Sequence, residues 1–485
     1  MTHFTRRGFL AATAAMAAIP AAPGMARAAA PERLLATSRV LDIDGRAATV
    51  WGLLNARGGT GLTLDPGQRF ALRLTNDLPE PTLIHWHGQI PPHAQDGVPG
   101  LPAAMLQPGE GRDYDYAPIS GTFWMHAHIP LQEMRQLAAP LIVRSASDVA
   151  ADRQEVVMML HDFSFAAPEE VMAAITGGHG GGHGAHGAPA DPHAGHGAAP
   201  VDPHAGHDMG GAGVSQMDLN DFDFDAYLAN DRTLSDPEVT RVERGGRVLL
   251  RIINGAAATA FWVDLGALSG RLVAVDGHPV VPQDGSRFAI SMGQRLDIEL
   301  RLSGAGAFPI LALREGAVQR TGIVLATPGA RIPQIPATGD AAPAVDYDLA
   351  QEGGLRAATA LPQRGAEVSQ MVMLGGSMDP YRWTIDDRIW GDHMPVTARS
   401  GQRVELTFHN LSMMSHPMHL HGHVFQVVAI DGRRFAGALR DTVLVPPQKA
   451  VTVAFDAGEA ARWMLHCHHM PHLETGMMTE LAVLA

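Results

Sequence analysis

At 485 residues the chain is long enough for about three domains, each with its own buried core, which excludes a small disulfide-stapled scaffold. Lys and Arg total 36 against 50 Asp and Glu, a formal net charge of −14, which argues against binding nucleic acid by phosphate neutralisation and favours small molecules or cations as partners. Cys467 is the only cysteine, so no intrachain disulfide can form, and its thiol is left as a metal ligand, a nucleophile or an inert buried group.

In chain order, Thr5-Arg6-Arg7-Gly8-Phe9-Leu10 leads into an apolar, alanine-rich run and then Ala26-Arg27-Ala28. A charged region, a short apolar region and a small-residue cleavage site predict a signal peptide over 1–28, and the paired arginines point to the twin-arginine translocase and a periplasmic destination. Beyond it, short alternating runs such as Arg69-Phe70-Ala71-Leu72-Arg73-Leu74 are separated by Gly, Pro, Asn and Asp clusters, which predicts an all-β chain of sandwich domains.

Three of those runs repeat one frame. Gly67 precedes Asn76, Gly245 precedes Asn254 and Gly401 precedes Asn410 at the same spacing. Beyond each Asn, equivalent positions carry His85 and His87 in the first copy, Val263 and Leu265 in the second, and His419 and His421 in the third. Chemistry is therefore expected in the outer domains and not in the middle one. The predicted division is 29–150, 151–330, a Pro-rich linker over 331–345, and 346–485. Within the second domain, 176–213 is a Gly/His/Ala/Pro tract with seven histidines, expected to be a disordered loop.

Side chains alternate faces along a strand, so the outer residues of an H-x-H triplet point the same way. There are four triplets: His85-Trp86-His87, His126-Ala127-His128, His419-Leu420-His421 and His466-Cys467-His468. Eight imidazoles in same-face pairs suit a copper cluster, whereas zinc would need several unrelated four-coordinate sites. Alternation turns Cys467 to the opposite face, where His416, His472 and Met477 are close in sequence. Two His, one Cys and a weak axial Met make a blue-copper centre. The matching positions in the first domain, Ala127, Gln132 and Leu137, lack those ligands.

His85-Trp86-His87-Gly88, Trp124-Met125-His126-Ala127-His128, His416-Pro417-Met418-His419-Leu420-His421-Gly422 and His466-Cys467-His468 through His472 to Met477 resemble the four copper signatures of the three-domain multicopper oxidases, which include the laccases and the bacterial copper-efflux oxidases. The resemblance implies three cupredoxin-like Greek-key sandwiches and four copper ions. It assigns type 1 copper to His416, Cys467, His472 and Met477, and type 2 copper to His85 and His419. One type 3 ion takes His87, His126 and His468, and the other takes His128, His421 and His466. It further implies that a reducing substrate, Cu(I) or a phenol, gives single electrons to type 1 copper. Those electrons pass through Cys467 to His466 and His468, and dioxygen is reduced to water.

Asp96, in Gln95-Asp96-Gly97, matches the family's acid beside the cluster, expected to deliver protons; a turn Asp before Gly is the structural alternative. The position after His472, where some bacterial members keep another acid, is Leu473. Met371, Met373, Met378, Met394, Met413, Met414 and Met418 gather near the blue-copper ligands, as soft ligands for Cu(I) or as flexible core filling. His93, His161, His278, His393, His409, His423 and His469 are expected to be surface residues or supports of the ligands. The expected reading is a periplasmic, monomeric oxidase for copper tolerance. Its rivals are a copper-storage protein and a cell-division-associated structural protein of the same fold.

Overall fold

The computed structural model describes residues 31–177, 219–302 and 304–485; the predicted leader and nearly all of the predicted His-rich loop lie outside the described residues. Three β-sandwiches follow one another along the chain. The first packs the sheet of Arg46–Asn55, Glu32–Ile43, Phe70–Asn76 and Gly111–Tyr116 on that of Leu62–Leu64, Ala138–Val143, Gly121–Ala127 and Ile84–His87. The second pairs sheets of six and five strands, and the third sheets of seven and five.

The repeat seen in the sequence is a repeat of wiring. Strands Phe70–Asn76, Arg247–Asn254 and Arg403–Asn410 each pair in parallel with the strand that opens their sandwich and antiparallel with a later one. A parallel neighbour requires a crossover between sheets, the Greek-key connection of such sandwiches. The Asn that ends each strand is fully buried. Its side-chain amide donates to two backbone carbonyls, those of Glu80 and Leu106 for Asn76, Thr259 and Ile290 for Asn254, and Met414 and Val445 for Asn410. Its side-chain oxygen accepts the N–H two residues on. A corner that would otherwise bury unpaired polar backbone is thereby satisfied, which explains why the same residue type recurs there.

Each sandwich closes over its own apolar core, with Phe70 edge-on to Trp86 at 4.8 Å in the first and Val263 and Leu265 in the second, where the outer copies carry histidine. The predicted linker packs on the second sandwich through Ile335, which joins Leu234 and Val324, and the first strand of the third sandwich is Val368–Met378. Among the described residues no helix is long and apolar enough to cross a membrane.

Two ladders position the site. Ile84–His87 pairs with Gly121–Ala127 so that His85 faces His126. His416–Leu420 pairs with Arg462–Cys467 so that His419 faces His466 and Met418 faces Cys467. The triplets ending at His87 and His421 are each followed by a glycine with positive φ, Gly88 and Gly422. At Gly88 (φ +83°) a Cβ would fall within 2.7 Å of Arg295, Asp441 and Phe123, so only glycine lets the second and third sandwiches approach this turn. The triplets ending at His128 and His468 run into short helices, Pro130–Met134 and Met470–Glu474, which pack on one another.

Candidate metal centre

Strand alternation gives Arg462–Cys467 two chemical faces. On one, Cys467 Sγ lies 3.7 Å from the Nδ1 atoms of both His416 and His472, which are 3.1 Å apart. Met477 is fully buried in the same apolar cluster, and its carbonyl accepts the Cys467 N–H. Trp383 lies over the His472 ring at 4.1 Å. Burial pushes the Cys467 thiol up and both imidazoles well down, so all three are neutral until a cation compensates them.

On the other face, ligand atoms of His87, His126 and His468 converge within 4.8 Å of one another, as do those of His128, His421 and His466, and those of His85, His87 and His419. Each set mixes histidines of the first and third sandwiches, so the centre exists only where those two sandwiches meet. His85 Nε2 and His419 Nε2 are 3.5 Å apart, and His421 Nε2 and His466 Nε2 are 3.1 Å apart.

Hydrogen bonds behind the rings fix which nitrogen looks inward. The Nδ1–H groups of His85, His419 and His466 donate to the carbonyls of Asp96, Asp441 and Cys467, each at 2.9 Å. That of His421 donates to Asp96 Oδ2 at 2.8 Å. His87 is turned round: its Nε2–H donates to Asp441 Oδ1 at 3.0 Å, leaving Nδ1 toward His126. Asp441 is held well below the usual carboxylate range by the buried Arg295 guanidinium, which also hydrogen-bonds it. Desolvation lowers the imidazoles of His87, His126, His128, His421, His466 and His468 well below their ordinary value. They are neutral at pH 7, as metal ligation requires. His128 Nε2 and both nitrogens of His468 are buried without a hydrogen-bond partner, so this donor set fits copper: imidazole on one face, imidazole with thiolate and thioether on the other.

Every residue picked out as a ligand from the sequence lies in one of these two neighbourhoods, and Asp96, itself buried, touches His421 through its carboxylate and His85 through its backbone. The methionines divide: Met414 and Met418 are core, whereas Met371, Met394 and Met413 are exposed. Of the remaining histidines, His469 stacks on His472 at 3.9 Å and His423 donates to the His421 carbonyl, while His161 is buried in the second sandwich beside Gly255. Sequence reasoning missed Asp441, Glu133, Asp221 and Tyr381. The first lies beside Thr442 in no motif. Glu133 could have been found, because it and Leu473 follow the last triplet histidine of their domains at the same distance. Asp221 Oδ2 is 3.5 Å from His472 Nε2 and accepts a hydrogen bond from Tyr381, closing the outer edge of that imidazole.

A fold of three such sandwiches with donors at the junction of the outer two defines a cupredoxin-type copper oxidase. Its architecture is similar to that of Fet3p, a multicopper oxidase that functions in iron import, with a TM-score of 0.73 over 93% of this chain and 90% of that one, at 16% identity. Sequence profiles of the family described as multicopper oxidase match residues 36–148, 206–327 and 364–485. The chain is 31% identical to multicopper oxidase MmcO of Mycobacterium tuberculosis, covering 99% of this chain and 96% of that protein. It is 24% identical to copper resistance protein A of Escherichia coli, covering 88% of each. The chain belongs to the multicopper oxidase family. It is a copper-dependent oxidoreductase that couples one-electron oxidation of a reducing substrate to four-electron reduction of dioxygen to water, and a purely structural or storage role is not favoured.

Proposed function

We propose that the protein holds four copper ions and works as a periplasmic oxidase of cuprous ion or phenols in copper tolerance. The residues that would hold them are His416, Cys467, His472 and Met477 for type 1, and His85 and His419 for type 2. For type 3 they are His87, His126 and His468 on one ion and His128, His421 and His466 on the other. The observation that carries this reading is the division of one strand, Cys467 on one face and His466 and His468 on the other, with complete donor sets on both. Copper bound there supplies one-electron chemistry at the thiolate site and multi-electron reduction of dioxygen at the cluster.

The chain's own residues do the rest. His466 and His468 are covalently continuous with Cys467, so the two sites are joined by backbone. Asp96, hydrogen-bonded to His421, is the acid positioned to hold a proton beside the cluster. Asp221 and Tyr381 shield His472 Nε2, which favours a small donor over a bulky one at that edge. The exposed Met371, Met394 and Met413 and the His-rich 176–213 tract suit copper as that donor. Export by the twin-arginine translocase, cleavage near residue 28, the domain division 29–150, 151–330 and 346–485, and a monomeric state belong to the same proposal. Steady-state oxygen uptake with Cu(I) and with a phenol, with and without added Cu(II), tests it. Turnover with Cu(I) exceeding that with the phenol is expected, and oxygen uptake with neither donor would overturn it.

A further inference from the structure

Three carboxylates stand behind the cluster-facing imidazoles, and each spans a pair. Asp96 contacts His421 at 2.8 Å and His85 at 3.4 Å. Asp441 contacts His87 at 3.0 Å and His419 at 3.5 Å. Glu133 Oε2 lies 2.7 Å from His126 Nδ1, and its Oε1 lies 4.0 Å from His468 Nδ1.

The internal repeat matches His85 with His419 and His87 with His421. It therefore converts the Asp96 pair into the Asp441 pair, so these two acids are mates across the domain junction although they occupy different places in their domains. The same operation converts the Glu133 pair, His126 and His468, into His466 and His128. Among the described residues no carboxylate comes within ion-pair distance of that second pair. The position matching Glu133 is Leu473, which packs among Ala257, Met470 and Met134. Glu133 is thus the one acid of the cluster without a counterpart. It is 3% exposed, and its Oε1 and both nitrogens of His468 lack hydrogen-bond partners.

We infer that Glu133 is a positioning residue that makes the two halves of the type 3 pair unequal. Its Oε2 stands 2.7 Å from Nδ1 of His126, in the first sandwich, beside the Ala127 carbonyl that accepts that Nδ1–H at 3.1 Å, and its Oε1 faces Nδ1 of His468, in the third, so that one side chain braces ligands of the same ion across the domain junction and leaves their Nε2 atoms for copper. An acceptor behind a ligating imidazole fixes its ring and makes it the better donor, and losing such a partner commonly costs about 10–100-fold in metal affinity. The Cys467 carbonyl behind His466 has its mate in the Ala127 carbonyl behind His126, so among the described residues the half made by His128, His421 and His466, with Asp96 behind His421, lacks what Glu133 adds to the other. The copper affinity of the half made by His128, His421 and His466 is independent of Glu133. This inference rests on the ligand assignment proposed above.

The test compares wild type, Glu133→Ala and Glu133→Gln, each loaded with Cu(II) and dialysed against graded chelator. Copper per chain and the EPR-visible fraction are measured, since two coupled Cu(II) ions are EPR-silent and an ion that has lost its partner is not. Glu133→Ala is expected to release one copper at roughly 10–100-fold lower chelator strength and to gain an EPR signal, with the thiolate absorption of the Cys467 site unchanged. Glu133→Gln keeps an acceptor oxygen and is expected to retain that copper. In the metal-free proteins, 15N NMR of His468, whose nitrogens have no hydrogen-bond partner, is expected to report the Nδ1–H tautomer in wild type and Glu133→Gln and a mixture in Glu133→Ala, while His126 keeps the Nδ1–H that donates to the Ala127 carbonyl in all three. Wild-type copper retention and EPR silence in Glu133→Ala would overturn the inference, as would equal loss in both variants. Failure of the wild type itself to bind a coupled pair would overturn the ligand assignment instead.

Discussion

The strand–helix unit that ends at His128 and the one that ends at His468 are two versions of one piece of chain. Their cluster faces agree, and their opposite faces do not. In the third sandwich that opposite face holds His416, Cys467, His472 and Met477. In the first sandwich the matching positions hold Thr82, Ala127, Gln132 and Leu137, and the polar pair among them closes on itself: Thr82 Oγ1 donates to Gln132 Oε1 at 2.7 Å, and Gln132 donates to the Pro81 carbonyl. His416 and His472 occupy the same two places at 3.1 Å, with the thiol of Cys467 where the first sandwich has the methyl of Ala127. One frame therefore stabilises a buried polar pair in two ways, by a hydrogen bond between neutral groups or by donors gathered for a metal. The difference requires only four side chains because the backbone ladder already fixes where they point.

The largest expected effect comes from erasing that difference at Cys467. Cys467→Ser should lose the intense visible absorption of a copper–thiolate bond and several orders of magnitude in turnover while unfolding at an unchanged temperature; a variant that stays blue contradicts the type 1 assignment. His128→Ala leaves the opposite face of its own domain and the whole Cys467 site intact. It should give a protein that a reductant bleaches and air does not recolour in stopped-flow absorption, with steady-state oxygen uptake nearly abolished. Asp96→Asn retains an acceptor for His421 and removes the acid, so copper content should hold while oxygen uptake falls by about 100-fold. Undiminished activity across the pH profile would reduce Asp96 to a turn residue.

Smaller effects test the metal-free side of the comparison. Gln132→Ala leaves Thr82 buried without a partner and should destabilise the protein by about 1–3 kcal/mol in urea unfolding, with the blue absorption untouched. The pH dependence of stability bears on buried histidines that the sequence does not pick out as ligands. Burial lowers His161 and His423 from 6.5 to about 4, so the unfolded chain takes up their protons first. Their contribution is complete above pH 6.5 and is lost as pH falls toward 4, at about 1.4 kcal/mol per pH unit for each group. Urea unfolding of the metal-free protein between pH 7 and 5 should show at least that slope, the buried ligand imidazoles adding theirs, and His161→Gln should lower it by one group's share.

Much of the site was legible in the residues alone because its logic is local. A period of two decides that His466 and His468 share a face and that Cys467 takes the other, and a repeat of Gly and Asn marks three sandwiches without any knowledge of their contacts. The spacing from Cys467 to His472 and Met477 spans one helical turn and its exit, so it too is fixed within a few residues. What the sequence could not decide is whatever depends on how sandwiches dock. His87 meets Asp441 across 354 positions, and Arg295 of the middle sandwich, which carries no ligand, holds that aspartate ionised. Asp221 and Tyr381 close the edge of His472 from two different domains. Glu133 reads in sequence as one more polar residue of a short helix and acquires its meaning only where that helix meets its mate and His468. Strand periodicity is written residue by residue, whereas the pairing of carboxylates with imidazoles is a property of surfaces that do not exist until three cores have formed and packed together.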